Sequence, residues 1–410
     1  MQRRPSWGVG AMSGKRVAVA VLGVVLLAAC APSSSTPHAG APSTEAHLTL
    51  PATGVVTTPT TSTVGKIVKL CLSPSAALAI PSTTPRHRLP EGTSFFVLAD
   101  DQDLAFGQYQ TASGMGVGIV DLTTGRFTSV ATFGANASGV GSLSVALPWV
   151  VWEQGDSSTD FGRWGVWAWN HDTRKLAQLS TGLRADGSEI PGWAPAPVVV
   201  GGHAFFAQPR TSNTPQSVMS DFRDVDLSTG HVRVVASGVL SSPVLAGSWI
   251  IWTSAAATGG DTGFQFHALD SRTRQPVALP ASLRSPGHVA FMVGSANSIG
   301  WTTTQGDALT IRDLSGNPVA AVQTIPDFGH QFQFLQLAGT RLLWASPSGY
   351  ALADTATGVT QMLPLYSSGL LTPQGLLVSK PIRAPTTKGD QVTSQLAQIP
   401  WSQLPNPAHC

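Results

Sequence analysis

Carboxylates are the first residues to weigh for chemistry, because two of them flanking a substrate can act as general acid and general base. The chain has only four glutamates, Glu45, Glu91, Glu153 and Glu189, and the first two lie in sequence of linker composition. Glu153 follows the strand-like run Pro148-Trp-Val-Val-Trp152, and Asp156 and Asp160 come shortly after it. Such a cluster at the rim of a ring-shaped fold would suit a glycosidase, although Asp156-Ser-Ser-Thr-Asp160 has the composition of an ordinary solvated loop. A second acidic stretch, Asp100-Asp-Gln-Asp103, puts hard oxygen ligands close together but lacks the glycine and ligand spacing of a calcium loop. It reads as a solvated turn. His171, His203, His231 and His267 fall in or beside strands at unrelated positions and read as structural. Gly-x-Ser-x-Gly, His-Glu-x-x-His, Cys-x-x-Cys and a P-loop are all absent. The expectation is a protein without enzymatic activity, cofactor or metal, with a glycosidase as one alternative.

Binding chemistry is better represented. The stretch Gly155 to Trp164 ends in Asp160-Phe-Gly-Arg163-Trp164, and Arg184 to Trp193 carries Asp186, Glu189 and Trp193. Aromatic rings beside arginine and carboxylates, on loops over a rigid scaffold, are the usual material of a recognition surface. Glu153, Asp160, Arg163, Trp164, Glu189 and Trp193 are therefore the candidate binding residues. The competing expectation is that these tryptophans pack beneath their own loops.

The elements that must carry such loops are strands, repeated along the chain. Apolar runs recur at Asp103-Leu-Ala-Phe106, Pro148 to Trp152, Gly202-His-Ala-Phe-Phe206, Ser248-Trp-Ile-Ile-Trp252, Asn297-Ser-Ile-Gly-Trp301 and Thr340-Arg-Leu-Leu-Trp344. Runs of this kind mark strands covered on both faces. Each is followed by a turn: Asp121-Leu-Thr-Thr-Gly125, Asp172-Thr-Arg, Asp226-Leu-Ser-Thr-Gly230, Asp270-Ser-Arg-Thr, Asp313-Leu-Ser-Gly316 and Asp354-Thr-Ala-Thr-Gly358. Aspartate accepts hydrogen bonds from backbone groups two residues on, and glycine supplies positive φ where the hairpin reverses. The clearest unit runs from Ala246 to Leu279, with Pro276-Val-Ala-Leu279 as its fourth strand, and a degenerate unit closes the series at Leu370 to Leu404. An all-strand repeat of this length predicts a seven-bladed β-propeller, with six or eight blades as alternatives. The alternation of a Gly-x-x-Val/Ile-x-Trp strand with an Asp-Leu-x-Thr-Gly turn resembles the TolB-like and YVTN-like bacterial propellers, which implies the same ring.

A ring needs its ends joined. Lys66 to Leu72 alternates as a strand, and it is expected to complete the last blade. That would bring Cys71 near Cys410, and a Cys71–Cys410 disulfide is expected in an oxidising compartment.

The N-terminal segment sets the address. Lys15-Arg16, the apolar run Val17 to Leu27 and Leu27-Ala28-Ala29-Cys30 form a targeting segment too short to span a membrane comfortably. The last four residues resemble the lipobox of bacterial lipoproteins, which implies cleavage before Cys30 and acylation of its sulfur. The reading is thus a signal peptide over residues 1–29, a lipidated Cys30 with a Ser/Thr/Pro-rich, disordered linker to residue 65, and a propeller over residues 66–410. A net charge of +2 and a charged content of 11% leave no electrostatic footprint for nucleic acid. The expectation is a monomer outside the cytoplasmic membrane, anchored through lipid on Cys30, that binds a protein or glycan of the cell envelope. A purely structural envelope component is the remaining alternative.

Overall fold

The computed structural model describes residues 66–134, 137–157, 162–255, 263–302, 308–323, 333–346, 349–363, 367–386 and 389–404. Residues 1–65 with Cys30, and also Asp160 and Cys410, lie outside them. The described residues all belong to one compact unit, Leu48–Cys410.

Three short strands come first: β1 (Lys66–Lys69), β2 (Cys71–Ala77) and β3 (Arg86–Arg88). Seven antiparallel sheets follow in chain order. Blade one is β4 (Ser94–Asp101), β5 (Leu104–Thr111), β6 (Gly114–Asp121) and β7 (Phe127–Thr132). Blade two is β8 (Gly139–Ala146), β9 (Trp149–Gly155), β10 (Trp164–Asn170) and β11 (Leu176–Thr181). Blade three is β12 (Val198–Val200), β13 (His203–Pro209), β14 (Ser220–Asp226) and β15 (Val232–Gly238). Blade four has three strands, β16 (Val244–Ala246), β17 (Trp249–Ala255) and β18 (Phe264–Asp270). Blade five is β19 (Met292–Gly294), β20 (Ser298–Thr302), β21 (Ala308–Asp313) and β22 (Pro318–Gln323). Blade six is β23 (Gln333–Ala338), β24 (Arg341–Ser346), β25 (Gly349–Asp354) and β26 (Val359–Met362). Blade seven is β27 (Ser368–Thr372), β28 (Gly375–Thr386) and β29 (Gly389–Pro400), with β3 at its edge. The protein is a seven-bladed β-propeller.

What holds the ring is apolar packing between neighbouring blades. The repeated second strands supply it, because alternate side chains point into opposite gaps. Phe106 meets Trp152 between blades one and two, and Val151, Trp164 and Phe206 fill the next gap. Phe222 stacks on Trp252 at 4.2 Å between blades three and four, and Phe266 meets Trp301 edge-on at 5.3 Å between four and five. Trp344 packs with Leu309 and Ile311, Leu343 with Leu376 and Val378, and Leu377 and Leu396 with Phe95 and Val97. The last of these clusters joins blade seven to blade one, so the ring is closed.

The closure differs from the sequence expectation. Lys66 to Leu72 does not complete blade seven. β1 pairs in parallel with β22 as a fifth strand of blade five, β2 pairs in parallel with β26 on blade six, and β3 pairs antiparallel with β29. The chain thus runs as a belt along three successive blades before entering blade one. Burial decides the register, since Val68, Leu70, Leu78 and Leu89 each drop into an inter-blade core. Cys71 stands at the start of β2, opposite Val359. Its expected partner Cys410 lies outside the described residues. Shortening Val68 to alanine, with 4% of the residue exposed, is expected to cost about 2 kcal/mol; chemical denaturation checks it, and no change would mean that β1 is only laid against the surface.

Two turns also depart from expectation. In blade two the acceptor is Asn170, not Asp172: its Oδ1 receives the Asp172 and Thr173 N–H groups and the Thr173 hydroxyl. An amide oxygen satisfies the same donors as a carboxylate, so the Asp motif hid the substitution. The position that is glycine with positive φ in blades one, three and six (Gly125, Gly230, Gly358) is Arg174 (φ 58°) in blade two and Arg274 (φ 57°) in blade four. Blade four also lacks the expected Pro276 to Leu279 strand. Only a bridge from Leu269 to Pro276 forms, and α1 (Ala281–Arg284) then leads to blade five, its Leu283 buried against Phe266.

Candidate functional site

Antiparallel order gives the ring two different faces. Hairpins between first and second and between third and fourth strands lie on one, which we name the turn face; the remaining connections lie on the other, the loop face. The sequence-predicted residues fall at the loop face of blades two and three.

Glu153 stands near the loop-face end of β9, opposite Ser142 of β8 and Val166 of β10. The register slips between Val140 and Ser142. The bulged residue, Gly141, turns its backbone N–H to the Glu153 carboxylate, and a side chain at position 141 would collide with it. The residue is 7% exposed. Burial pushes its carboxyl up to about 7, against the Gly141 hydrogen bond and with a smaller contribution from Asp156. Asp156 accepts from Gln154 Nε2 at 2.8 Å. Asp160 lies outside the described residues.

Trp164 does not belong to a recognition surface. It is 1% exposed and packs with Val151, Val166 and Phe206 in the gap between blades two and three. It opens β10, and a ring that size at a strand start is drawn into the inter-blade core. Trp193 is the opposite case, 78% exposed. Arg163 and Glu189, one on each loop, approach to 3.8 Å and are both well exposed.

The loop beneath Trp193 is fastened by two residues. Arg184 donates through Nε to Thr211 O at 2.9 Å, through Nη2 to Asn213 O at 2.7 Å, and through Nη1 to Glu189 O. Asn213 Nδ2 donates to Pro191 O and Met219 O, both at 2.8 Å. These bonds join the blade-two exit loop to the β13–β14 loop of blade three. The result is a rigid frame carrying one exposed indole, which can bind without paying to order its own loop.

The turn face holds a cluster that the sequence motifs did not reveal. Asp224, 2% exposed, accepts from His203 Nδ1 and from Arg233 Nη2, both at 2.8 Å, and Arg274 Nη1 lies 3.9 Å away. The available signal was charge density: β14, Ser-Asp-Phe-Arg-Asp-Val-Asp, is far more charged than the other third strands. His267, by contrast, stacks on Trp252 at 5.5 Å and meets Ser254 Oγ at 2.7 Å. Burial lowers its pKa.

Innermost strands of all seven blades line a central cavity of about 360 Å³ with Leu98, Leu143, Val198, Leu245, Val293 and Leu370 among its walls. Gln336 braces it, accepting from Leu371 N–H at 2.7 Å. At Asp100-Asp-Gln-Asp103, burial and then the Asp101 charge push the Asp100 carboxyl up to about 6, while Asp101 accepts from Leu147 N–H. Among the described residues no group of three or more His, Cys, Asp or Glu side chains is placed to hold a metal ion. No helix among them is long and apolar enough to cross a membrane.

No family model matches the chain, and no curated protein matches its sequence. Solved structures do match in shape. An oligogalacturonate lyase in complex with manganese is 12% identical, over 81% of this chain and 99% of that one, at a TM-score of 0.47. TolB from Acinetobacter baumannii is 14% identical, over 79% and 66%, at 0.38. The propeller domain of the Trilobed protease from Pyrococcus furiosus is 8% identical, over 77% and 98%, at 0.43. The chain is similar to TolB and other propeller proteins in fold alone.

Proposed function

We propose that the chain is a lipid-anchored, extracytoplasmic binding or scaffold protein, held to the membrane through Cys30 and engaging a protein or glycan of the cell envelope with its loop face. The observation that carries this reading is Trp193, an exposed indole on a frame fastened by Arg184 and Asn213. Exposed aromatics on rigid supports are the residues that dominate recognition. The Arg163–Glu189 pair beside it would supply directional contacts. A disulfide between Cys71 and Cys410 belongs to the same reading, and peptide mapping without reductant would find or miss it.

Two experiments test the proposal. Affinity capture from envelope extract by the full chain should retain a partner that Trp193→Ala loses; retention of the same set by both proteins would remove the loop face from consideration. Cys30→Ala should release the protein from the membrane fraction and abolish incorporation of a labelled fatty acid.

A glycosidase is the second reading, favoured by one observation: a carboxyl held at about 7 has the proton a general acid needs at neutral pH. Its 7% exposure leaves little access for a sugar. Hydrolysis of an envelope glycan that disappears in Glu153→Gln would establish it over binding.

A further inference from the structure

We propose that the turn face between blades three and four holds an oxyanion-binding site, built on Arg272 and Arg274, that takes a ligand through its phosphate or carboxylate group. A recess of about 700 Å³ lies there, lined by His203, Ser248, Ser271, Arg272 and Arg274 among others.

The first observation is conformational. Arg274 occupies the left-handed region at φ 57°, where blades one, three and six place glycine. A side chain in that strained backbone persists when its surroundings hold it there. The surroundings are visible: Arg233 Nη2 donates to the Arg274 carbonyl at 3.1 Å and to Asp224 Oδ2 at 2.8 Å. His203 Nδ1 donates to Asp224 Oδ1 at 2.8 Å, which leaves Nε2 to accept from Arg274 Nη1 at 3.3 Å. The buried carboxylate is thereby satisfied by His203 and Arg233, and the relay positions the Arg274 guanidinium, itself half-exposed, at the recess wall.

The second observation concerns charge. Arg272, two residues earlier on the same turn, makes no ion pair and no side-chain hydrogen bond among the described residues, and it too lines the recess. Two carboxylates stand nearby, Asp226 and Asp270, but each commits Oδ1 to its own turn. Asp226 accepts from Ser228 N–H, Ser228 Oγ and Thr229 N–H, and Asp270 from Arg272 N–H, Thr273 N–H and Thr273 Oγ. Both carboxylates keep their charge, and that of Asp270 is felt by Arg272, but neither is among the residues that line the recess, whereas two guanidinium forks and the Ser248 and Ser271 residues are. Guanidinium forks match the paired oxygens of phosphate and carboxylate, and a group with two or more acceptor oxygens can engage both arginines.

Titration of the purified full chain with inorganic phosphate in low-chloride buffer, followed by calorimetry and by the thermal midpoint, tests the proposal. Saturable binding is expected, weakened about tenfold by Arg272→Gln and by Arg274→Gly, and unchanged by Arg126→Gln on the blade-one turn. Arg272 makes no side-chain contact that the fold needs, and glycine suits the backbone of position 274, so both variants are expected to fold. Acetate in a parallel titration separates the two ligand classes: binding of both assigns a general oxyanion clamp, and binding of phosphate alone assigns a phosphoryl group. Absence of saturable binding of either anion, or equal binding by wild type and both variants, overturns the proposal.

Discussion

Trp164→Ala is expected to destabilise the propeller by about 4 kcal/mol, the cost of emptying a buried indole site whose walls cannot close over it. The indole packs with Val151, Val166 and Phe206, residues of two different blades that are each held by their own ladders. Collapse into the space would need a whole blade to shift, so the cavity term persists. Trp193→Ala, by comparison, removes a ring that is 78% exposed and is expected to stay within about 0.5 kcal/mol of wild type. The two tryptophans therefore separate stability from recognition. Urea denaturation beside partner capture reads both: Trp164→Ala should lower the midpoint, and Trp193→Ala should keep the midpoint while losing the partner. Equal stability losses in the two variants would contradict the packing described here.

Glu153→Gln is expected to stabilise the protein at alkaline pH and to change little in acid. The sign follows from the direction of the shift. Glu153 is raised from 4.5 to about 7 in the folded chain. Below the unfolded value both states carry the proton and nothing is lost. As pH rises from 4.5 toward 7, the unfolded chain gives up its proton while the folded one keeps it, and stability falls. Above 7 the full penalty is present, roughly 3 kcal/mol. Glutamine carries no such cost, so the advantage of the variant should grow across this window and then level off. A difference that is flat with pH would show that the carboxyl is not perturbed. The turn aspartates act in the other sense. The Thr123 hydroxyl, then the Thr124 and Thr123 amides, hold Asp121 below the usual carboxylate range, and Ser228 does the same for Asp226. Their stabilisation is present above the ordinary carboxylate value and is lost as pH falls below it. Wild type is expected to be most stable in mildly acidic solution, between these two losses, and thermal midpoints from pH 3 to 9 would show the maximum.

The local code was legible because each part of it acts at short range. Trp152, Trp252 and Trp344 sit on second strands that must be covered on both sides, and that requirement is visible as unbroken apolar runs. Asp121, Asp226 and Asp270 cap turns whose donors lie two and three residues on, so their role is contained in the motif itself. Seven such units make the ring. The acidic character and perturbed setting of Glu153 were only half visible: its place after Trp152 was plain, but the bulge that aims Gly141 at it depends on how β8 meets β9.

Long-range partners were decided by tertiary structure. Lys66–Lys69 has the alternation of a strand, which states that it pairs but not with which edge; the cores that receive Val68 and Leu89 made the choice between blades five and seven. Trp164 and Trp193 have the same chemistry and similar loop contexts, and only the gap between two blades separates a core residue from a surface one. The His203–Asp224–Arg274 relay joins residues from two blades. By itself, then, the sequence determined a strand repeat and its turns, since those follow from side-chain alternation and local hydrogen bonding. The belt, the exposure of each tryptophan and the charged relay were decided only by the closed ring, because each depends on distant segments meeting across a gap whose shape no local pattern contains.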